Sequence, residues 1–197
     1  MKKLIALLMA LAMVLALVAC GGNNSGSASN AGDSQPATPV ASSAEEILDK
    51  VWGTYAEDEM FPVMGGNTET IDWEGPSTMD LANTEELTYF LYLPTEQIAL
   101  VDDVANMLHA MNQNTLTGGC FHVADPANVQ TVVDTLKDAI MNAQWMCGFP
   151  EQLVIITVGS DYVVSAFGNG ELIDNFQAKL TAEYGEAAVV VVEENLM

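Results

Sequence analysis

The sequence predicts an α+β domain of the ferredoxin-like kind, a βαββαβ chain folded as an antiparallel sheet with two helices on one face. Three observations carry that expectation. The stretches "LVIITV" (153–158) and "YVVSAF" (162–167) are runs rich in β-branched residues, parted only by Gly159, Ser160 and Asp161, which is the pattern of a hairpin. A helical stripe precedes them and another follows, at residues 129–143 and 172–184. Short apolar runs, "GGCFHVAD" and "AAVVVV", stand at the outer ends of the set.

Each element has its own local signals. "GGCFHVAD" reads as a strand, and Asp125 with Pro126 supplies an N-cap and a first-turn proline. Val129, Val132, Val133, Leu136, Ile140 and Ala143 then share one helical face, and that helix is expected to end near Trp145. After the hairpin, Asn169 and Gly170 open a second helix carrying Leu172, Ile173, Phe176, Leu180 and Tyr184. Glu171 and Asp174 complement its N-terminal dipole, and Gly185 stops it. The last strand covers 187–192, so the βαββαβ order spans 117–193.

The segment before it, 44–112, reads as an N-terminal addition that covers the open sheet face or extends its edge. Ser43 and Glu46 form an S-x-x-E capping box, and Ile47, Leu48, Val51, Trp52 and Tyr55 line one face of a helix over 44–55. Residues 57–83 carry Pro62, Gly65, Gly66 and Pro76 and read as a long irregular segment. "LTYFLYLP" (87–94) fits a strand or a helix, and "IALVDDVANMLHAMN" (98–112) leans toward a strand or bent strand.

The chain opens with "MKKLIALLMALAMVLALVAC". Lys2 and Lys3 followed by an unbroken apolar run are a secretory leader, and "LVAC" at 17–20 has the pattern of a bacterial lipobox, with Cys20 as the lipidated residue. Residues 1–19 are therefore expected to be removed, and 20–43, rich in Gly, Ser, Asn and Ala, to be a disordered linker beyond the lipidated cysteine. The single domain is 44–197. The localisation that follows is the cell membrane, lipid-anchored on its extracytoplasmic face, with the membrane itself as the first partner.

Charge excludes several classes. The chain has 27 acidic residues against five lysines, no arginine and a formal net charge of −22. Nucleic-acid binding needs cations for phosphate and is not expected.

Three places hold chemistry-bearing side chains. Cys120 and Cys147 bracket the first helix, and an oxidising compartment permits a disulfide closing a loop of about 26 residues; two buried free thiols fit the apolar neighbours as well. A redox pair is disfavoured, because neither a C-x-x-C spacing nor a cation accompanies the thiols. Met107, His109 and Met111 alternate, and on a strand they would share a face able to hold Cu(I). The acidic clusters at Glu57–Glu59, Asp102–Asp103 and Glu193–Glu194 lack the spacing of a calcium loop. No nucleophile-base motif is visible, and no cofactor is implied.

The leader, the polar linker, "AMNQN" and the run "CFHVADPANVQTVVDTLKDAI…QWMCGFPEQLVIITVGSDYVVSAFG" resemble a family of small uncharacterised Gram-positive bacterial lipoproteins carrying a domain of unknown function. The resemblance covers about residues 85–185 and implies location and architecture; it implies no catalytic residue. The expected function is a non-enzymatic, membrane-anchored lipoprotein that binds a protein or small ligand of the envelope. The alternative is a metal-handling protein of the envelope, using copper or calcium.

Overall fold

A computed structural model describes residues 40–197. The leader, Cys20 and the linker up to residue 39 lie outside the described residues. Packing starts earlier than residue 44: Ala41 is buried, and the Tyr162 hydroxyl donates to its carbonyl at 3.4 Å.

The elements are α1 (Ala44–Trp52), β1 (Val63–Met64), β2 (Ser77–Thr78), α2 (Thr84–Leu91), β3 (Val101–His109), β4 (Leu116–Val123), α3 (Val129–Met141), β5 (Gln152–Val158), β6 (Tyr162–Gly168), α4 (Gly170–Tyr184) and β7 (Ala188–Asn195). They form a seven-stranded sheet in the order β1-β3-β4-β6-β5-β7, with β2 also on β3, and every pairing is antiparallel. The mixed α/β class and the antiparallel sheet match the expectation from sequence. The hairpin falls where it was predicted, and 98–112 resolves into a 3-10 turn at Thr95–Leu100 followed by β3.

The ferredoxin-like arrangement, with both helices on one face, is not what the chain adopts. The βαββαβ order is present as β4-α3-β5-β6-α4-β7, but a ferredoxin-like sheet would pair its last strand with its first. Here the outer edge of β4 is occupied by β3, and β7 pairs with β5 instead. Both crossovers then step the same way across the sheet from strands of opposite direction. Connections of one hand must therefore place their helices on opposite faces.

The core divides accordingly. Ile47, Leu48 and Val51 of α1 pack with Ile173, Phe176 and Leu180 of α4 over Cys120, Val154, Ile156 and Val164. Leu87 and Leu91 of α2 and Val132, Leu136 and Ile140 of α3 cover Phe121, Leu153, Ile155 and Val163 on the other side. The result is a three-layer α/β/α sandwich. Strands covered on both faces read as continuous rather than alternating apolar runs, and β6 is buried at all seven positions.

The glycine pair in β4 makes room for a bulky side chain on each face. A Cβ on Gly118 would meet the Phe176 ring at 3.8 Å, and one on Gly119 would meet Leu91 at 3.0 Å and the Phe121 ring at 3.1 Å. The irregular segment 57–83 is held to the edge of β3 by Asn106. Its side chain accepts from the Gly66 amide at 2.6 Å and donates to the Gly66 carbonyl at 3.2 Å, so this buried amide stands in for a strand neighbour.

Candidate groove at one end of the sheet

The first helix of the βαββαβ unit stops sooner than its apolar stripe suggests. Asn142 caps α3 by donating its side-chain amide to the Asp138 carbonyl at 2.8 Å, so Gln144 to Gly148 form a loop and not a last helical turn. Trp145, near which the sequence places the end of the helix, and Met146 after it are instead carried in this loop over the sheet end. Met146 is 79% exposed and Phe149 69% exposed, and Tyr89 and Met111 are exposed as well.

Two asparagines hold that loop. Asn114 donates to the carbonyls of Met146 at 3.0 Å and Gly148 at 3.2 Å, and Asn112 donates to the Cys147 carbonyl at 3.1 Å. These residues belong to "AMNQN", between β3 and β4, so the loop after α3 is anchored across the sheet end by side chains. A Cβ on Gly148 would sit 3.1 Å from the Asn112 amide nitrogen, which accounts for a glycine there.

Between this loop and α2 lies a groove of about 740 Å³. Thr88, Tyr89 and Tyr92 form one wall and Trp145, Met146 and Cys147 the other, with Gln113 and Asn114 at one end. Tyr92, Trp145 and Phe167 make a triangle of rings with centroids 5.3 to 5.4 Å apart, which supports the groove from the core side. Tyr92 and Cys147 have φ of 57° and 62°, and they are the only non-glycine residues with positive φ among those described. Both line the groove. Strained backbone of this kind costs of order 1–3 kcal/mol per residue and collects at functional sites.

Cys120 and Cys147 are both free, the first buried and the second exposed. The disulfide considered from sequence is not formed, because Cys120 faces the layer of α1 and α4 whereas Cys147 follows α3, which covers the opposite face. Burial, with Asp103 nearby, pushes the Cys120 thiol well above its usual range and leaves it unreactive. Cys147 is not the packing residue that the sequence suggests: it lies in the groove wall.

Of the three residues proposed for copper, Met107 is fully buried under α1 and α4, and His109 stacks on Phe61 with ring centroids 5.3 Å apart. Met111 lies past the end of β3, exposed, and its amide donates to His109 Nδ1 at 3.3 Å. Among the described residues no group of three or more His, Cys, Asp or Glu is placed to hold a metal ion. The acidic clusters have internal duties. Asp103 accepts from the Ala44 amide at 2.7 Å, at the start of α1. Glu59 pairs with Lys179 at 2.7 Å and Glu194 with Lys137 at 2.6 Å; Lys50 pairs with Glu46 at 2.6 Å. No described lysine is left without a carboxylate.

At the opposite end of the sheet a cleft of about 720 Å³ includes Glu46, Lys50, Asp103, His122 and Asp161 in its lining, beside Val40, Ala41 and Tyr162. His122 Nδ1 contacts Asp102, and Nε2 faces Asp161 at 3.6 Å. Burial works against a charged ring here, but Asp102 and Asp161 outweigh it and raise the imidazole above its ordinary 6.5. A raised folded-state value contributes stability that is fully present below the unfolded value and is lost as pH rises through the folded one. His109, held low by burial, acts in the opposite sense, so the informative comparison is the wild type against His122→Gln. Unfolding midpoints followed from about pH 5.5 to about pH 8.5 are expected to fall more steeply in the wild type. Parallel curves for the two proteins would refute the role of His122.

The fold and the groove define a class: an antiparallel three-layer domain with a pre-shaped cleft at one sheet end. Comparison with protein-family models, with curated proteins and with solved structures finds no match to this chain. Among the described residues no helix is long and apolar enough to cross a membrane.

Proposed function

We propose that the protein is a lipoprotein anchored at Cys20 on the extracytoplasmic face of the membrane, and that its domain is a binding module taking an uncharged ligand into the groove beside Trp145. The leader "MKKLIALLMALAMVLALVAC" supports the anchor. The observation that carries the binding role is the pre-shaped groove: a loop fixed by Asn112 and Asn114, with left-handed backbone at Tyr92 and Cys147. Walls set before the ligand arrives reduce the ordering cost of binding. Exposed Tyr89 and Met146 offer apolar contact, and Gln113 and Gln144 offer amide groups. Glu85 is the one charged residue in the lining, and no described lysine is unpaired, so an anion finds no counter-charge here.

Two measurements test this. Metabolic labelling with an alkyne fatty acid is expected to mark the wild type and not Cys20→Ala; an unlabelled wild type sinks the anchor. Nile red, a neutral apolar dye, is expected to bind saturably with fluorescence gain. Tyr89→Ala or Asn114→Ala is expected to weaken it about tenfold, the loss of about 1.4 kcal/mol of contact. Absence of saturable binding, or equal binding by both variants, sinks the groove.

A further inference from the structure

The sheet has two edges, and they are protected very differently. Along β3 the outer strands β1 and β2 are two residues each, and edges this short cannot template another strand. The other edge is β7, eight residues long, and no strand among the described residues pairs with its outer side. It contains neither proline nor lysine. In its middle Val189, Val190 and Val191 are 52%, 36% and 43% exposed. A bulge sets Val190 opposite Ile156 and Val192 opposite Ile155, which leaves Val191 without a counterpart on β5. Acids are confined to the flanks, Glu186 before the strand and Glu193 and Glu194 near its end.

We infer that β7 is an interface strand, and that it pairs antiparallel with β7 of a second copy of this chain about a twofold axis between Val190 and Val191. The arrangement of acids and valines along β7 fits a second copy of the strand in one direction only. In that register Val190 meets the second copy's Val191 and Val189 meets its Val192. Glu193 then lies opposite Ala188 and Glu194 opposite Ala187, so no two carboxylates face each other. A parallel pairing in register would stack Glu193 on Glu193 and Glu194 on Glu194, and like charges directly opposite are destabilising. A twofold antiparallel contact uses one patch twice, as closed dimers do. Joining the edges extends one sheet through both copies and covers the valines of both.

The long-range charge term opposes the contact, since each chain carries a formal −22. Salt should therefore strengthen it, the reverse of an edge that captures a basic strand. Raising salt from about 0.1 M to about 1 M shortens the screening length from about 10 Å to about 3 Å.

The test is sedimentation velocity on the full chain in detergent micelles, over roughly 1 to 100 µM protein. A reversible monomer-dimer equilibrium that tightens with salt is expected. Val190→Lys sets a lysine against the second copy's Val191 and should weaken the dimer at least about tenfold, whereas Gln130→Lys on the exposed side of α3 should leave it unchanged. Amide hydrogen exchange of the unmodified chain supplies a readout that needs no variant: exchange at Val189–Val191 should slow as protein concentration rises. A monomer across the whole range overturns the inference. So does a dimer that loosens with salt, one indifferent to Val190→Lys, or exchange at Val189–Val191 that ignores concentration.

Discussion

Phe121→Ala and Phe176→Ala are each expected to lower stability by about 3–5 kcal/mol, the range for emptying a fully buried aromatic site. Both rings are completely buried, Phe121 beneath α2 and α3 and Phe176 projecting from α4 onto the opposite face of the sheet. Each leans on one glycine of the β4 pair, Phe121 on Gly119 and Phe176 on Gly118, so their supports lie on opposite sides of one strand. The milder Phe121→Leu and Phe176→Leu keep the protein folded and allow a double-mutant cycle. Because the two core halves share no side chain, the losses should add within about 0.5 kcal/mol. Urea unfolding of the four proteins measures this. A coupling above about 1 kcal/mol would mean that the two layers form one core, contrary to the three-layer arrangement.

Gly168→Ala is expected to cost about 2–5 kcal/mol, from overpacking together with backbone strain. Gly168 ends β6 with φ of 156°, and a Cβ there would lie 2.3 Å from the Thr115 carbonyl oxygen and 2.8 Å from its carbon. The obstacle is backbone, so no rotamer change relieves it. Thr115 cannot move away freely, because its carbonyl also accepts from the Asn169 amide at 2.9 Å and so ties the end of β6 to the start of β4. Displacement there should pass to Asn112 and Asn114 and loosen the loop they hold. The expected result is a lowered urea midpoint together with faster proteolysis in 144–150. A stability change under about 0.5 kcal/mol would show that the close approach is not enforced.

Much of the fold is written in local patterns. Ser43 caps α1 by accepting from the Glu46 amide at 3.1 Å, as the S-x-x-E spacing requires, and Asp125 accepts from the Ala127 amide at 3.0 Å beside Pro126. Those signals act within a few residues, so a sequence displays them. α2 was ambiguous because "LTYFLYLP" is apolar on every side at a length that suits a strand or a helix. What decides it is Asn83 accepting from the Glu86 amide and the burial of Leu87 and Leu91 under the sheet, and the second depends on distant residues.

The groove was half legible. "QWMCGFP" stands out by composition, and "AMNQN" is visibly unlike its surroundings, but no spacing rule says that the asparagines of one hold the carbonyls of the other. They are 32 to 35 residues apart in the chain. The apolar stripe also continues to Ala143, which invites a longer helix, while Asn142 ends it by a hydrogen bond to Asp138. The glycine at 148 is constrained by its positive φ and by the asparagine pair beside it, neither of which a local pattern displays.

By itself the sequence determined the elements whose causes are local: the capped helices, the hairpin around Gly159, the acidic charge, and the leader that sets the expectation of an anchored protein. The tertiary structure alone decided which edge of the sheet β7 would join, and with that the face on which α4 lies. The reason is that edge occupancy is a competition: β3 and β7 can both extend an antiparallel sheet, and no residue in β7 encodes that β3 has already filled the place beside β4.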